Sequence, residues 1–270
     1  MQVLSIEEIR SATLQMMDHI HHICIENDIQ YFLHYGTLIG AIRHNGFIPW
    51  DDDFDIAMKR KDYEKFCKVV EREHHPHYKL CNRANTENYY YGIARYADTR
   101  FKYESDLKLK QADIGIFIDI YPLDNFGNTS EEAKSIKAKI APYNTKYSIY
   151  VNGKSLQGPI RTLLRFPIHC YYKVKYGKNF NSKIDNLIYK KICSLTNDSD
   201  SQMGVIVWDA SCWPFKKTML EETILHDFEG HQYLIPAEYD AILTMIYGDY
   251  MKPPSVENQK PTHCYKIYKK

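Results

Sequence analysis

The sequence predicts an α+β fold in which a mixed sheet is followed by a helical region, and three observations carry that reading. Apolar residues first recur at helical spacing, at Ile6, Ile9, Met16, Ile20 and Ile23. Alternation at strand period then appears twice, at Phe54, Ile56 and Met58 and again at Ile114, Ile116, Ile118 and Ile120. From Glu131 onward the pattern turns helical again and the charge changes sign. At 270 residues and 31.9 kDa the chain is long enough to bury a full core of one or two packed units. The expected division is a core over 1–125, a helical basic region over 126–200, and a segment over 201–270 that completes the first unit.

The first helix is expected from Ser5 to about Asn27, because Ser5-Ile6-Glu7-Glu8 has the form of a capping box. His19 and His22 lie one turn apart on it, and they read as packed or solvated rather than as metal ligands. Strand-like Tyr31–Tyr35 then runs into Gly36-Thr37 and the short helical stretch Leu38–Asn45, closed by Gly46. Glycine lets a backbone approach a phosphate closely, and a helix N-terminus offers it unpaired N–H groups. Gly36 and Thr37 are therefore candidate phosphate-binding residues. Arg43 and His44 are placed either to meet a second phosphate or to cap the end of this helix.

The acidic run Asp51, Asp52, Asp53, Asp55 follows at once. Read at strand period, Asp51, Asp53 and Asp55 share one face, while Asp52, Phe54, Ile56 and Met58 take the other. Side chains two apart on a strand are separated by roughly 7 Å, so each carboxylate pair repels by about 2 kcal/mol at an effective dielectric near 20. Three carboxylates on one face need a compensating cation or raised pKa values. A set of hard oxygen ligands suits Mg²⁺ or Mn²⁺ better than zinc.

A helix is expected over Lys61–Glu73, then strands around Tyr78–Cys81, Tyr89–Tyr96 and Ile114–Tyr121. On the last of these, Asp119 shares a face with Phe117 and Tyr121 while the reverse face is isoleucine. Placed beside the Asp53/Asp55 strand it completes a three-carboxylate site; the alternative is a charge on an edge strand. Arg95 lies in mid-strand, where it grips a phosphate or pairs with an aspartate.

Between Ala133 and Lys191 there are thirteen lysines and arginines against one acid, Asp185. Leu163, Leu164, Phe166, Ile168, Tyr171 and Tyr172 interleave with them. Such asymmetry points to an anionic partner; no base-reading motif accompanies it, so nucleic acid is not expected. A helix resting on an anionic membrane fits better. Beyond this region a short strand is expected at Val205–Trp208 and an amphipathic helix over Pro236–Tyr247, with Pro253-Pro254 stopping whatever precedes it. Glu229 and His231 flank Gly230 and are candidates to bind donor or acceptor; His263 joins them only if the tail returns to the site.

No run of the sequence approaches the length of a spanning helix, and no basic-then-apolar leader opens it, so the cytoplasm or the inner face of its membrane is expected. The seven cysteines form no Cys-x-x-Cys pair and read as reduced thiols.

Gly36-Thr37-Leu38-Ile39-Gly40-Ala41-Ile42-Arg43-His44 together with Pro49-Trp50-Asp51-Asp52-Asp53-Phe54-Asp55-Ile56 resembles the LicD family of bacterial phosphocholine transferases and animal fukutin-related proteins. Ile116–Asp124, Phe228-Glu229-Gly230 and Tyr247-Gly248-Asp249-Tyr250-Met251, followed by Pro253, Pro254 and His263, extend the likeness towards the C-terminus; residues 130 to 200 carry none of it. The resemblance implies a nucleotidyltransferase-like fold and Mg²⁺-dependent transfer of a phosphorylated alcohol from a CDP-linked donor to a glycan, free or lipid-linked. It implies a metal held by Asp51, Asp53, Asp55 and Asp119, with Asp119 supplying the third carboxylate and drawing the proton from the attacking hydroxyl. Two rivals stand beside this reading. A sugar-nucleotide glycosyltransferase also uses Asp-x-Asp, but such folds place a nucleotide-binding βαβ half before it, and here only one helix and one strand precede it. A non-catalytic glycan- or lipid-binding module has no use for carboxylates at all four expected places.

Overall fold

The N-terminal helical stripe folds as α1 (Ile6–Glu26), and its start is fixed by the expected capping box: the Glu8 N–H donates to the Ser5 hydroxyl and the Ser5 N–H to the Glu8 carboxylate. Its apolar stripe, Met16, Met17, Ile20, Ile23 and Cys24, is buried. The protein is described by a computed structural model that covers residues 2–270 apart from 88, 90, 106–111, 113, 154–157, 178–179, 209–210 and 262–264.

After α1 the chain forms β1 (Phe32–Leu33), α2 (Tyr35–His44), β2 (Asp55–Lys59), α3 (Arg60–Glu73), β3 (Tyr78–Cys81), β4 (Ala94–Asp98), β5 (Phe101–Ser105) and β6 (Ile116–Asn125). The central sheet runs β1-β2-β6-β4-β3, with β2 and β6 parallel and the other pairs antiparallel. The fold is thus a mixed sheet with helices. The isoleucine alternation does what its period predicts: Ile116, Ile118 and Ile120 are buried where α1 packs across β6.

The helical region contains α4 (Ser130–Val151), α5 (Pro159–Tyr176) and α6 (Phe180–Cys193). Ile136, Ile140 and Tyr147 of α4 meet Phe180, Ile184 and Ile188 of α6 in a second core, closed by Phe126 and Ile206. The chain then returns to the sheet. β7 (Gln202–Gly204) pairs with the end of β6 and with β8 (Phe215–Lys216). β9 (Thr223–Phe228) and β10 (His231–Pro236) form a hairpin, α7 spans Tyr239–Tyr247, and β11 (Tyr265–Lys269) pairs with β5.

Several boundaries differ from expectation; the strand expected around Tyr89–Tyr96 is observed as Ala94–Asp98, and the one expected at Ile114–Tyr121 as Ile116–Asn125. Asp51 to Phe54 is a loop, and the strand begins only at Asp55, because β1 is two residues long and its register ends at Phe32↔Ala57 and Leu33↔Ile56. Val205–Trp208 is not a strand; Val205 and Ile206 are apolar because they plug two cores from a loop. Pro236 ends β10 instead of starting α7. The hairpin turn at Phe228-Glu229-Gly230 has consecutive positive φ angles, 53° at Glu229 and 80° at Gly230, the conformation that a tight two-residue hairpin requires.

Candidate active site

The parallel pairing of β2 with β6 sets the site. Asp55 and Asp119 are register partners, and partners in a parallel pair project from the same face, so two carboxylates lie side by side. Both are buried, at 5% and 6% exposure. Asp51, Asp52 and Asp53 approach from the loop before β2, with one carboxylate oxygen of each within 4.8 Å of the others. The sharing of a site by Asp51 and Asp53 therefore comes from a folded loop and not from strand period. Asp52 is closer to its neighbours than strand alternation allows, yet it does not line the main cavity. That cavity, about 430 Å³, is lined by Asp51, Asp53 and Asp55 with Tyr35, Gly36, Trp213 and others. Asp52 instead faces a narrower crevice, which Asp51 and Asp53 also line, with Arg10 and Tyr265.

Burial pushes the Asp55 carboxyl well above the usual range, and Asp53, Asp119 and Asp51 push it further. Arg95 works in the opposite direction. Asp55 Oδ1 is buried with no hydrogen-bond partner, an arrangement that a cation or a retained proton would relieve. A hard divalent ion fits carboxylate oxygens, and those that converge within 4.8 Å of one another belong to Asp51, Asp52 and Asp53, next to Asp55.

Arg95 pairs with an aspartate. Its Nε and Nη2 donate to Asp119 at 2.6 and 3.3 Å, and its guanidinium is stacked between Tyr91 and Phe117 at 3.5 and 3.8 Å from the ring centroids. Asp119 is thereby fixed in orientation. His34, behind the cavity among Tyr35, Tyr121 and Phe215, adds no charge: burial lowers its imidazole to about 3, and neither ring nitrogen has a partner.

The acid loop is braced from four elements. Arg10 of α1 donates to the carbonyls of Ile48, Pro49 and Asp51 at 2.8, 3.1 and 3.3 Å. The Thr37 hydroxyl accepts the Asp55 N–H at 2.8 Å. Glu229, in the hairpin turn, accepts the Phe47 N–H at 3.1 Å. Tyr265 of β11 donates to the Asp52 carbonyl. Gly36 is needed for a steric reason: a Cβ there would sit 2.7 Å from Asp51 Oδ2, so its absence admits the carboxylate to the first turn of α2. Tyr35, just before it, holds a φ of +44°, a strained backbone at the rim of the cavity.

The structure thus gathers Gly36, Asp51, Asp53, Asp55 and Asp119, with Arg95 behind Asp119. It gives Thr37 the task of holding Asp55. Arg43 is not brought in: it lies about 10 Å of helix rise from Gly36, and its Nη1 donates to the Tyr250 carbonyl at 2.6 Å. Glu229 braces the loop, and His231 pairs with Asp18 at 2.8 Å on the outside of α1. His263 lies outside the described residues. The tail does return: β11 brings Tyr265 against the acid loop. Sequence reasoning missed Arg10 and Tyr265, whose partners are backbone carbonyls and so leave no side-chain pattern to read.

Comparison with known proteins adds four findings. Residues 28–150 match the family model described as LicD/FKTN/FKRP, nucleotidyltransferase domain. The chain is 31% identical over 273 residues to the lipopolysaccharide cholinephosphotransferase LicD of Haemophilus influenzae, covering 99% of each. An uncharacterized protein of Rickettsia typhi is 29% identical over 137 residues, 44% of each chain. Among solved structures, ANT(2″)-Ia in complex with adenylyl-2″-tobramycin covers 67% of this chain and 98% of its own at 12% identity, with a TM-score of 0.24, too low to bear on the fold.

Proposed function

The chain belongs to the LicD/FKTN/FKRP family, and on that premise we propose that it transfers phosphocholine from a CDP-linked donor to a hydroxyl of a lipopolysaccharide-type glycan. The observation that supports this most is that Asp55 lines a cavity together with Asp51 and Asp53 and is paired across parallel strands with Asp119. We read the core as nucleotidyltransferase-like on the same grounds. Asp51, Asp53 and Asp55 would hold a divalent ion, Mg²⁺ or Mn²⁺, with Asp119 beside them. Bound there, the ion supplies charge neutralisation for the phosphoryl group in transfer.

The chain's own groups do the rest. Gly36 leaves room at the first turn of α2 for an anion to approach backbone N–H groups. Arg95 fixes the orientation of Asp119 through two hydrogen bonds, and we assign the proton of the attacking hydroxyl to Asp53, which is half-exposed at the cavity wall. Thr37, Arg10, Glu229 and Tyr265 hold the loop so that these carboxylates do not have to be ordered during the reaction. A cytoplasmic setting and a lipid-linked acceptor are part of the proposal. A thermal-shift screen of CDP-choline, CDP-ethanolamine and CDP-ribitol with and without Mg²⁺ tests it. A ligand present at a hundred times its Kd adds about 2.7 kcal/mol of stability. CDP-choline is expected to stabilise most, and only with the ion; stabilisation by a UDP-sugar in its place would favour glycosyl transfer.

A further inference from the structure

Helix α5 is folded inside out. Ile160, Leu163, Leu164, Pro167, Tyr171 and Val174 recur at the spacing of one helical face, and that face points away from the protein. Ile160 and Leu163 are 76% exposed, Leu164 69% and Val174 87%. The opposite face is the one that packs, and it carries Arg165 and His169 together with Tyr172 and Tyr176, whose rings lie against the second core. Arg165 donates from Nε to the Asn152 carbonyl at 2.9 Å and from Nη2 to the Ser148 hydroxyl at 2.6 Å, at the end of α4. His169 Nδ1 donates to the Ile149 carbonyl at 2.8 Å, and the Lys173 ammonium sits 4.1 Å over the Tyr150 ring. Had the helix evolved only to cover α4, burying the leucines and exposing the arginine would be the lower free-energy choice. Hydrogen bonds hold it in the reverse orientation.

We propose that the outward face of α5 docks on an anionic lipid membrane, lying in the interface plane. The helix is about 27 Å long, and no helix among the described residues is long and apolar enough to cross a bilayer, so the helix lies on a membrane and does not span it. Arg161 and Lys175 are exposed at the flank of the apolar face, and α5 contains no acid. Apolar side chains in the headgroup boundary with cations beside them are what an anionic surface binds. A second copy of the chain fits worse: a two-fold contact through this face places the same basic helix against itself. The inference does not rest on the transfer reaction, because none of these residues lines the acid cavity.

Flotation of the full chain with phosphatidylcholine vesicles, with and without phosphatidylglycerol, tests it. The chain is expected to float with the anionic vesicles at low salt and to be released as salt rises. R161Q/K175Q should lower partitioning about thirtyfold, and L163S/L164S/V174S by more than about a hundredfold, with thermal melting of both variants unchanged. Asp55→Asn should float like the parent, which separates this test from that of catalysis. A chain that stays in solution with anionic vesicles, or that floats equally after L163S/L164S/V174S, overturns the proposal. So does a lipid-free dimer, seen by light scattering, that the same triple variant dissolves; that result would assign the face to a second copy. Equal flotation on pure phosphatidylcholine would overturn the role given to charge.

Discussion

Two regions of this protein place side chains against the ordinary sorting of polar and apolar groups. At the end of the central sheet, carboxylates are inside: Asp55 and Asp119 are almost fully buried, next to each other and next to Asp51 and Asp53. On α5, aliphatic side chains are outside, while Arg165, His169 and the rings of Tyr172 and Tyr176 face the protein. The departures run in opposite directions and differ in kind. The buried acids are over-determined by their surroundings: β-register, Thr37, Arg95 and a loop braced from α1, the β9–β10 hairpin and β11. The exposed leucines are held by a few hydrogen bonds on the far side of their helix. The first arrangement gathers like charge in a rigid frame; the second leaves apolar area on a surface.

Removing the buried charge should produce the largest functional effect. Asp53→Asn and Asp55→Asn are each expected to lower phosphocholine transfer by about a thousandfold or more, roughly 4 kcal/mol of barrier, while the fold survives. Asp52→Asn, whose carboxylate faces the crevice and not the cavity, should be much milder. Steady-state release of CMP from CDP-choline measures all three, and equal losses would mean that Asp51, Asp52 and Asp53 act as one cluster. Arg95→Ala should give the largest loss of stability, about 3–5 kcal/mol, because it leaves Asp119 buried without its partner; urea unfolding reads it. Arg95→Lys should recover only part, since an ammonium replaces neither the fork nor the stacking between Tyr91 and Phe117.

Much of the frame was legible in the sequence. The capping box at Ser5, the stripe of α1, and the isoleucine alternation on β6 all rest on local periodicity, which side-chain burial reproduces. Asp119 was found because a carboxylate on a strand backed by isoleucine needs a reason. Local pattern failed where tertiary structure decides. Asp51 and Asp53 do share a site, but a loop brings them there, and the strand argument consequently put Asp52 too far from its neighbours. Arg43 could by its position meet a phosphate or cap its helix; that same helix carries it away from the cavity, where it donates to the Tyr250 carbonyl. Glu229 and His231 stand beside a turn glycine, which marked a hairpin rather than a substrate contact. The inversion of α5 was half visible, as cations interleaved with leucines, but nothing in the sequence says which face packs on α4.

Smaller effects sharpen the contrast. Glu229→Ala should cost about 1 kcal/mol, by freeing the Phe47 N–H at the edge of the acid loop. L163S/L164S/V174S should change stability by less than about 0.5 kcal/mol per site, since these side chains are exposed. A pH dependence follows from Asp55. Its folded carboxyl titrates above the ordinary range, so as pH rises past that range the unfolded chain releases a proton that the folded chain keeps. Stability without divalent ion should therefore fall with rising pH until the folded carboxyl also ionises. Melting curves taken from acid to mildly alkaline pH should show this slope in the parent chain and lose it in Asp55→Asn. Saturating Mg²⁺ should remove it as well, by favouring the ionised form.

The account turns on whether the buried acids work through a divalent ion, and one measurement addresses that directly: CMP release from CDP-choline in the presence of a lipopolysaccharide acceptor, with Mg²⁺ varied, for the parent chain and Asp55→Asn. The parent should be inactive after chelation, recover in a saturable manner as Mg²⁺ or Mn²⁺ is restored, and show no recovery in Asp55→Asn at any ion concentration. Release that persists in chelator, or an Asp55→Asn chain that turns over at the parent's rate, would contradict it.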